Sequence, residues 1–537
     1  MLNYNKNYQQ LYDSFSMEAD NDYNMGFDVC DKWYQQDPEK LAIIHKQDDG
    51  EVKHYNFRNL YENSNAICNT LVADGFEQGD RVAILLPQAP EVAFAHIATY
   101  KLAGIAVPLF ALFGEEAIKF RLQNSGTRFV VTNKEGAKKI AGFLSELPDL
   151  EKIYCIDGHT ENSEDLYQRI AESDKTFTVR PTTLETPALI IYTSGTTGQP
   201  KGALHGQRIL LGHLAGVEIS HNFLPQENDV FWTPADWAWI GGLYDVLMPA
   251  LHHGVPVVCH RFKKFDPELV YQLIADLKIK NIFFPPTAIK MLATVKNPEQ
   301  RWNFSVRSIA SGGESLGSAL HQWGQQTFNL QINEFYGQTE CNMVVSSCSE
   351  IMQTPAGFMG RAVPGHKVEI VDDQGNIVAP HEVGNIAIYK DSPSQFLRYW
   401  QNEKATTEKY VGDWLLTGDC GAKDEDGFIK FFARDDDVIT SSGYRIGPGE
   451  IEDCLIKLPS IKMAAVIGKP DKTRTEIVKA FLVLNDGFSP SAELKQEVMD
   501  YVKTKLSAHE YPREVEFIDD LPMTTTGKVI RKQLSRD

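Results

Sequence analysis

No Cys-x-x-Cys pair and no paired histidine spacing of the metal-binding kind occurs in this chain. The eight cysteines, Cys30, Cys68, Cys155, Cys259, Cys341, Cys348, Cys420 and Cys454, are scattered along it. Neither a zinc site nor a disulfide framework is indicated, and small buried hydrophobes are expected. Long apolar runs are missing too: none approaches the roughly 20 residues that a membrane-spanning helix needs. The stretch from Met1 to about Glu39 is polar and acidic, without the apolar core of a secretory signal. A soluble cytoplasmic protein with no membrane partner is expected. Positive charge is in deficit, 53 Lys and Arg against 72 Asp and Glu, a net charge of −19. That balance argues against a general nucleic-acid or anionic-membrane surface, so an anionic substrate must meet local clusters of Arg and Lys. Internal repeats and low-complexity tracts are absent as well.

What is present is enough apolar material, 42% of 537 residues, for two or more domains. Arg81 to Leu86 and Arg128 to Thr132 read as strands, and Pro90 to Ala103 has helical spacing, which predicts α/β layering with parallel pairing. From Lys367 the texture changes. Lys367 to Val371 and Asn385 to Tyr389 read as strands, with the turn-prone run Asp372-Asp373-Gln374-Gly375-Asn376 after the first, a smaller β-rich unit. Near the end, Met463 to Gly468, Ile477 to Leu484 and Arg513 to Ile518 read as strands, and Leu494, Val498, Tyr501, Val502 and Leu506 share one helix face. The acidic run Asp435-Asp436-Asp437 is the expected linker. It divides a large α/β domain with a small β-rich subdomain, 1–435, from a smaller α+β domain, 436–537.

The most informative stretch is Tyr192-Thr193-Ser194-Gly195-Thr196-Thr197-Gly198-Gln199-Pro200-Lys201-Gly202, which follows the strand-like run Ala188 to Tyr192. Glycines let successive N–H groups point inward at an anion, and the hydroxyls of Thr193, Ser194, Thr196 and Thr197 add donors. Such a loop suits a polyphosphate. It lacks the Gly-x-x-x-x-Gly-Lys-Ser/Thr order of a Walker A loop, because Lys201 follows Pro200. By composition alone a solvated surface loop is an equal reading.

The stretch resembles the signature loop of the acyl-adenylate-forming superfamily, which closes over the β- and γ-phosphates of ATP; the resemblance gives Lys201 a part in catalysis. Further motifs stand where that superfamily has them. Asn333-Glu334-Phe335-Tyr336-Gly337-Gln338-Thr339-Glu340 resembles the motif whose aromatic residue stacks on adenine and whose last glutamate holds magnesium. Alone, Glu340 reads as a helix-start carboxylate. Gly313, Glu314 and Ser315 match the adenine-side loop, Asp419 the aspartate that accepts from both ribose hydroxyls, Arg434 the arginine on ribose and phosphate, and Arg445 a further ATP contact. Alone, Asp419 is a turn aspartate and Arg434 a local ion pair with its acidic neighbours. Pro522 to Lys528 matches the catalytic-lysine loop. Joining a carboxylate to the α-phosphate brings two anions together, and a lysine between them stabilises the charge that builds on phosphorus. Ser442, Gly443 and Tyr444 match the segment that lines the CoA pantetheine tunnel, where a Cβ has no room. Trp239 matches the aromatic gate beside the acyl carboxylate, with Ile240, Gly241 and Gly337 completing the acyl pocket.

The resemblance covers essentially the whole chain and is nearest to the medium-chain acyl-CoA synthetases. It implies a mobile cap that rotates about Asp436, and two steps: acid plus MgATP gives acyl-AMP and pyrophosphate, and CoA then takes the acyl group, releasing AMP. ATP and CoA are the implied co-substrates. A homo-oligomer and reversible acylation of Lys528 are further expectations. Acetate-specific relatives carry a tryptophan where this chain has Gly337, so room for several methylenes is expected there, and a medium-chain or branched acid. Two positions depart from the pattern: Cys341-Asn342 stands where Thr-Gly is usual, and Ala433 where Gly is usual. An amino-acid-activating domain would place an aspartate where Ile240 stands. A luciferase-like oxygenase is separated by whether product needs CoA or oxygen, and a non-catalytic nucleotide binder predicts loss of Lys528, Glu340, Asp419 or Arg434, all of which are present.

Replacing Lys528 with Ala is expected to lower acyl-AMP formation by ~10²–10³-fold while sparing thioester formation from presynthesised acyl-AMP. Equal loss in both single-turnover assays would remove the assignment.

Overall fold

Two sheets and the apolar layer they share make up the body of the larger unit. The computed structural model describes residues 2–17, 19–193, 200–314, 316–434, 437–441, 444–471, 474–506, 511–523 and 529–534, with backbone alone at 440, 444, 445 and 450. Two compact units emerge, Met1–Val368 with Ile388–Leu415, and Glu369–Ala387 with Leu416–Asp537.

In the larger unit one sheet runs, edge to edge, through Arg361–Ala362, Cys341–Ser346, Asn333–Gln338, Ser308–Gly312, Asn281–Phe283, Phe231–Trp232, Val257–Cys259, Leu41–Lys46 and Val52–Asn56. Its middle is parallel and its edges antiparallel. The other runs through Arg398–Tyr399, Lys201–Gly206, Pro187–Thr193, Ile105–Pro108, Arg81–Leu85, Phe129–Thr132, Lys152–Cys155 and Glu164–Asp165. The expected parallel pairing is found between Arg81–Leu85 and its neighbours on both sides.

Why both sheets are buried follows from strand periodicity. Side chains alternate across a sheet. Val82, Ile84, Phe129, Val131, Leu189 and Ile191 enter one core, while Ala83, Leu85, Val130, Ile190 and Tyr192 enter another. In the first sheet Phe231, Val257, Phe283 and Ala310 enter that same first core, and Trp232, Val258, Ile282 and Ile309 a third. The first core is therefore common to both sheets. Helices Phe57–Ala73, Pro90–Lys101 and Ile209–Ser220 fill it. Pro90 starts its helix at the position where a missing N–H does no harm, and Asn56 and Asn59 form a reciprocal cap on theirs. All eight cysteines are buried and unbridged, as expected.

In the smaller unit Trp414–Lys423 pairs antiparallel with Ile429–Arg434. Ile461–Asp471 pairs antiparallel with Thr475–Leu484, and Glu514–Phe517 joins that strand in parallel. Ser491 caps helix Ala492–Lys505, whose Leu494, Val498 and Val502 are buried. Leu506 lies past the end of that helix and is exposed, so it leaves the predicted apolar face.

One charge inside the shared layer has a calculable consequence. Lys101 is fully buried, 2.5 Å from Asp31, 2.8 Å from Asn65 Oδ1 and 4.9 Å from the Tyr61 ring centre. Lys101→Ala leaves Asp31 buried without its counter-charge, and a loss of about 3–5 kcal/mol in unfolding free energy is expected. A denaturant midpoint unchanged from the parent would contradict it.

Candidate functional site

The hydroxyl-rich loop closes a hairpin. Pro187–Thr193 and Lys201–Gly206 pair antiparallel, with Thr193 opposite Lys201 and the Thr193 hydroxyl donating to the Lys201 carbonyl at 3.4 Å. Ser194, Gly195, Thr196, Thr197 and Gly198 lie outside the described residues. On the far side of the hairpin, Arg398–Tyr399 pairs with its second strand, Tyr399 opposite Ala203. This register sets Tyr399 beside Lys201, whose ammonium stands 5.2 Å from the ring centre. The Tyr399 hydroxyl donates to the Glu340 carboxylate. Burial, and then the Glu340 charge, push the Tyr399 phenol well above its usual range, so it stays a donor.

Glu340 sits in the turn between Asn333–Gln338 and Cys341–Ser346, not at a helix start. Its carbonyl accepts from Phe396 N at 2.8 Å. The preceding Thr339 carbonyl is 2.8 Å from His205 Nε2. Burial pushes His205 down to about 3, so a neutral ring donates there. Gln338 accepts from Lys409 at 3.1 Å. Three backbone or side-chain anchors thus hold the end of the strand that presents Glu340.

At the neighbouring strand end, Gly313 adopts φ 94°, a left-handed conformation that favours glycine. Glu314 accepts from Thr287 at 3.3 Å, and Ser315 lies outside the described residues. The Glu334 carboxylate accepts from Leu316 N at 3.3 Å and approaches His321 at 3.7 Å, which ties this loop to the next strand. Phe335 packs on Phe283 with ring centres 5.3 Å apart, and Tyr336 is buried beside it in the strand.

Trp239 is half-buried and packs against Phe110 and Phe113, ring centres 5.5 and 6.1 Å away. A cleft lined by Phe110, Phe113, Arg121, Tyr192 and Trp239 borders it. Ile240 and Gly241 follow in a short helical turn, and a Cβ on Gly241 would meet the Phe283 ring at 3.0 Å. The room expected at Gly337 is not open: a Cβ there would stand 2.5 Å from Asn342 Oδ1 and 2.6 Å from Met343 N. The two strands of this hairpin touch, and Asn342 occupies the space. Its Nδ2 donates to Asp245 Oδ1 at 2.6 Å. Asp245, Tyr399 and His205 went unmarked in the sequence; a single carboxylate inside the apolar run Leu243 to Leu251 was the one readable signal for Asp245.

In the smaller unit, Asp419 and Arg434 face each other in register across paired strands, Nε to Oδ1 4.0 Å. Gly418 at φ 78° and the Thr417 hydroxyl, which accepts from Asp419 N at 3.1 Å, shape the stretch of the strand Trp414–Lys423 that carries the carboxylate. Asp437 pairs with Arg531 at 3.1 Å. Asp436, Ser442, Gly443 and Lys528 lie outside the described residues. Tyr444 and Arg445 are described by backbone alone, in the strand Tyr444–Ile446.

The sequence profile of the AMP-binding enzyme matches residues 30–400, and that of the AMP-binding enzyme C-terminal domain matches 450–528. The acetyl-coenzyme A synthetase of Bacillus subtilis (strain 168) is 34% identical, covering 98% of this chain and 94% of its own. The human mitochondrial acyl-coenzyme A synthetase ACSM2B is 33% identical, covering 95% and 90%. Among solved structures, the acyl-CoA synthetase of Brucella canis superposes with a TM-score of 0.77 at 32% identity, covering 99% of this chain and 98% of its own. The anthranilate CoA ligase AuaEII with anthranoyl-AMP does so with a TM-score of 0.87 at 26% identity, covering 97% and 98%.

Gly337→Ala drives a methyl group into Asn342 and the Met343 backbone, so a destabilisation of about 1–3 kcal/mol and a raised KM for the acid are expected. Parental stability together with parental KM would show that the hairpin opens freely at this point.

Proposed function

We propose a two-step reaction for this chain, which belongs to the AMP-binding enzyme family: an acid and ATP give acyl-AMP and pyrophosphate, and the CoA thiol then takes the acyl group and releases AMP. It is an AMP-forming acid–thiol ligase, with ATP, CoA and a carboxylic acid as substrates. The observation that carries the chemistry is Lys201 and Glu340 bridged by Tyr399 at the foot of the hydroxyl-rich hairpin. A cation at a loop rich in N–H and O–H donors suits a polyphosphate. A carboxylate beside it repels phosphate unless a cation intervenes, and magnesium is bound through one or two carboxylates plus phosphate oxygens. Glu340 fits that role: it is a nearly buried carboxylate with no ion pair among the described residues, turned by the Tyr399 hydroxyl. Magnesium supplies charge neutralisation on the phosphates, and Lys201 supplies a second positive charge.

Lys528 orients the acid oxygen toward the α-phosphate and stabilises the charge formed there. No enzyme nucleophile takes part. Tyr336, Gly313 and Glu314 are assigned to adenine, Asp419 and Arg434 to ribose and phosphate, and Trp239 to the acyl carboxylate. The cap, 436–537, is proposed to turn about Asp436 between the two steps and bring Ser442, Gly443 and Tyr444 to the pantetheine arm. The acid is proposed to be medium-chain or branched, on the resemblance to the medium-chain acyl-CoA synthetases. Cytoplasmic location, self-association and acylation of Lys528 belong to the same reading. Among the described residues no helix is long and apolar enough to cross a membrane.

Pyrophosphate release, followed across straight, branched and aromatic acids with and without CoA, tests the reading. Release without CoA and thioester only with it is expected. Gly443→Leu is expected to keep release near the parental rate while thioester formation drops by about 10²-fold or more, since the side chain fills the tunnel. Thioester formed at the parental rate by a folded Gly443→Leu enzyme would refute the tunnel assignment.

A further inference from the structure

One positive charge borders the cleft beside Trp239, and no carboxylate answers it. Arg121 is carried by helix Glu115–Ser125 and is 7% exposed. Among the described residues it makes no ion pair, and it is the only charged residue lining the cleft. Burial pushes its guanidinium down from the usual range, yet an arginine keeps its proton at neutral pH. A desolvated cation is costly unless it is paired and hydrogen-bonded.

Its surroundings hold the guanidinium by the face and leave an edge unused. The guanidinium carbon stands 4.2 Å from the Phe113 ring centre and 5.6 Å from that of Tyr192, contacts that fix a planar cation. Lys139 donates to the carbonyls of Ala111 at 2.8 Å and Phe113 at 3.3 Å, which ties down the loop that supplies the first ring. The Tyr192 hydroxyl is engaged elsewhere, donating to Asn124 Oδ1 at 2.7 Å. Within the guanidinium, Nη1 donates to the Ala117 carbonyl at 2.8 Å. Nε is buried without a partner, and Nη2 makes no hydrogen bond among the described residues. Nε and Nη2 share one edge of the plane, the arrangement that takes both oxygens of a carboxylate.

The cleft holds about 210 Å³ of atom-free space, the open mouth included, and Pro108, Phe110, Ile191 and Trp239 give it apolar walls. We propose that the Nε–Nη2 edge of Arg121 receives the carboxylate of the incoming acid, so that the cleft is where the acid docks before it is activated. This rests on the acyl-CoA ligase reading above. ATP and CoA carry several phosphate charges each, which a single arginine among aromatic walls does not balance. A carboxylic acid brings one planar charge and an apolar chain, and the cleft offers a partner for each. In the first step one carboxylate oxygen bonds to the α-phosphorus as the bond to pyrophosphate breaks. The carboxylate charge is gone once acyl-AMP has formed, and the grip of Arg121 on the acyl group ends with it.

Calorimetry without nucleotide compares the binding of acetate, hexanoate, octanoate and benzoate with that of their primary amides, and pyrophosphate release gives KM for each acid. The parent enzyme is expected to bind at least one acid about tenfold or more tightly than its amide. Arg121→Leu is expected to bring that ratio to about one and to raise KM for the same acid by about tenfold or more. KM for ATP, and thioester formation from presynthesised acyl-AMP, are expected to stay within about twofold of the parent. Arg121→Gln, which keeps the buried stem, carries the same expectation should the leucine variant fail to fold, and Arg121→Lys is expected to restore part of the preference. Acid and amide bound equally by a parent that releases pyrophosphate would overturn the inference and leave the ligase reading standing. A preference that survives in folded Arg121→Leu would overturn it too, as would a rise confined to KM for CoA. No release with any acid, with or without CoA, would instead remove the ligase reading and the inference with it.

Discussion

The apolar layer held in common by the two sheets is the constraint from which the rest of the larger unit follows. Each sheet sends alternate side chains into it, Val82, Ile84 and Ile191 from one and Val257, Phe283 and Ala310 from the other. A slip of one residue in any of these strands would turn its apolar set to the wrong face. Strand ends are therefore fixed to within a residue, and Thr193, Gly312 and Gln338 all stand at such ends. In sheets with a parallel middle, ligands gather beyond the carboxyl ends of the strands. The candidate site of the larger unit is built from those ends.

A chain with net charge −19 binds a polyanion only where local groups reverse the field. In the larger unit that reversal is narrow: Lys201 over the Tyr399 ring, and the Tyr399 hydroxyl on Glu340. The tyrosine ring carries the cation and its hydroxyl holds the carboxylate. His205, neutral through burial, anchors the same turn without adding charge. The electrostatics are thus set by what each charge touches as much as by which charges are present.

Strands with both faces buried were legible because a continuous apolar run between turn residues has few alternatives; Arg81–Leu85, Phe129–Thr132 and Pro187–Thr193 all appear where the sequence predicts them. The loop after Tyr192 was legible because its chemistry is local, with donors, glycines and a lysine within one short stretch. Tyr399 was not, because its meaning lies 59 residues away in Glu340 and is created by strand pairing alone. Gly337 was misjudged for a related reason. A missing side chain reads as space, but the opposite strand fills it with Asn342. Leu506 shows the limit of periodicity, since a helix face continues only as far as the helix does.

Asp245 and Asn342 stand apart from the rest because they break the rule that organises everything around them. Tyr244 and Val246 on either side of Asp245 belong to the shared apolar layer, and so does Met343 beside Asn342. An apolar pair at these two positions would satisfy the packing without a buried carboxyl, a π-helical turn or a left-handed residue within a strand. Local, packing and electrostatic preferences agree along most of a stable chain, and coincident violations concentrate where function requires them. Three such violations meet here, on elements 97 residues apart in sequence.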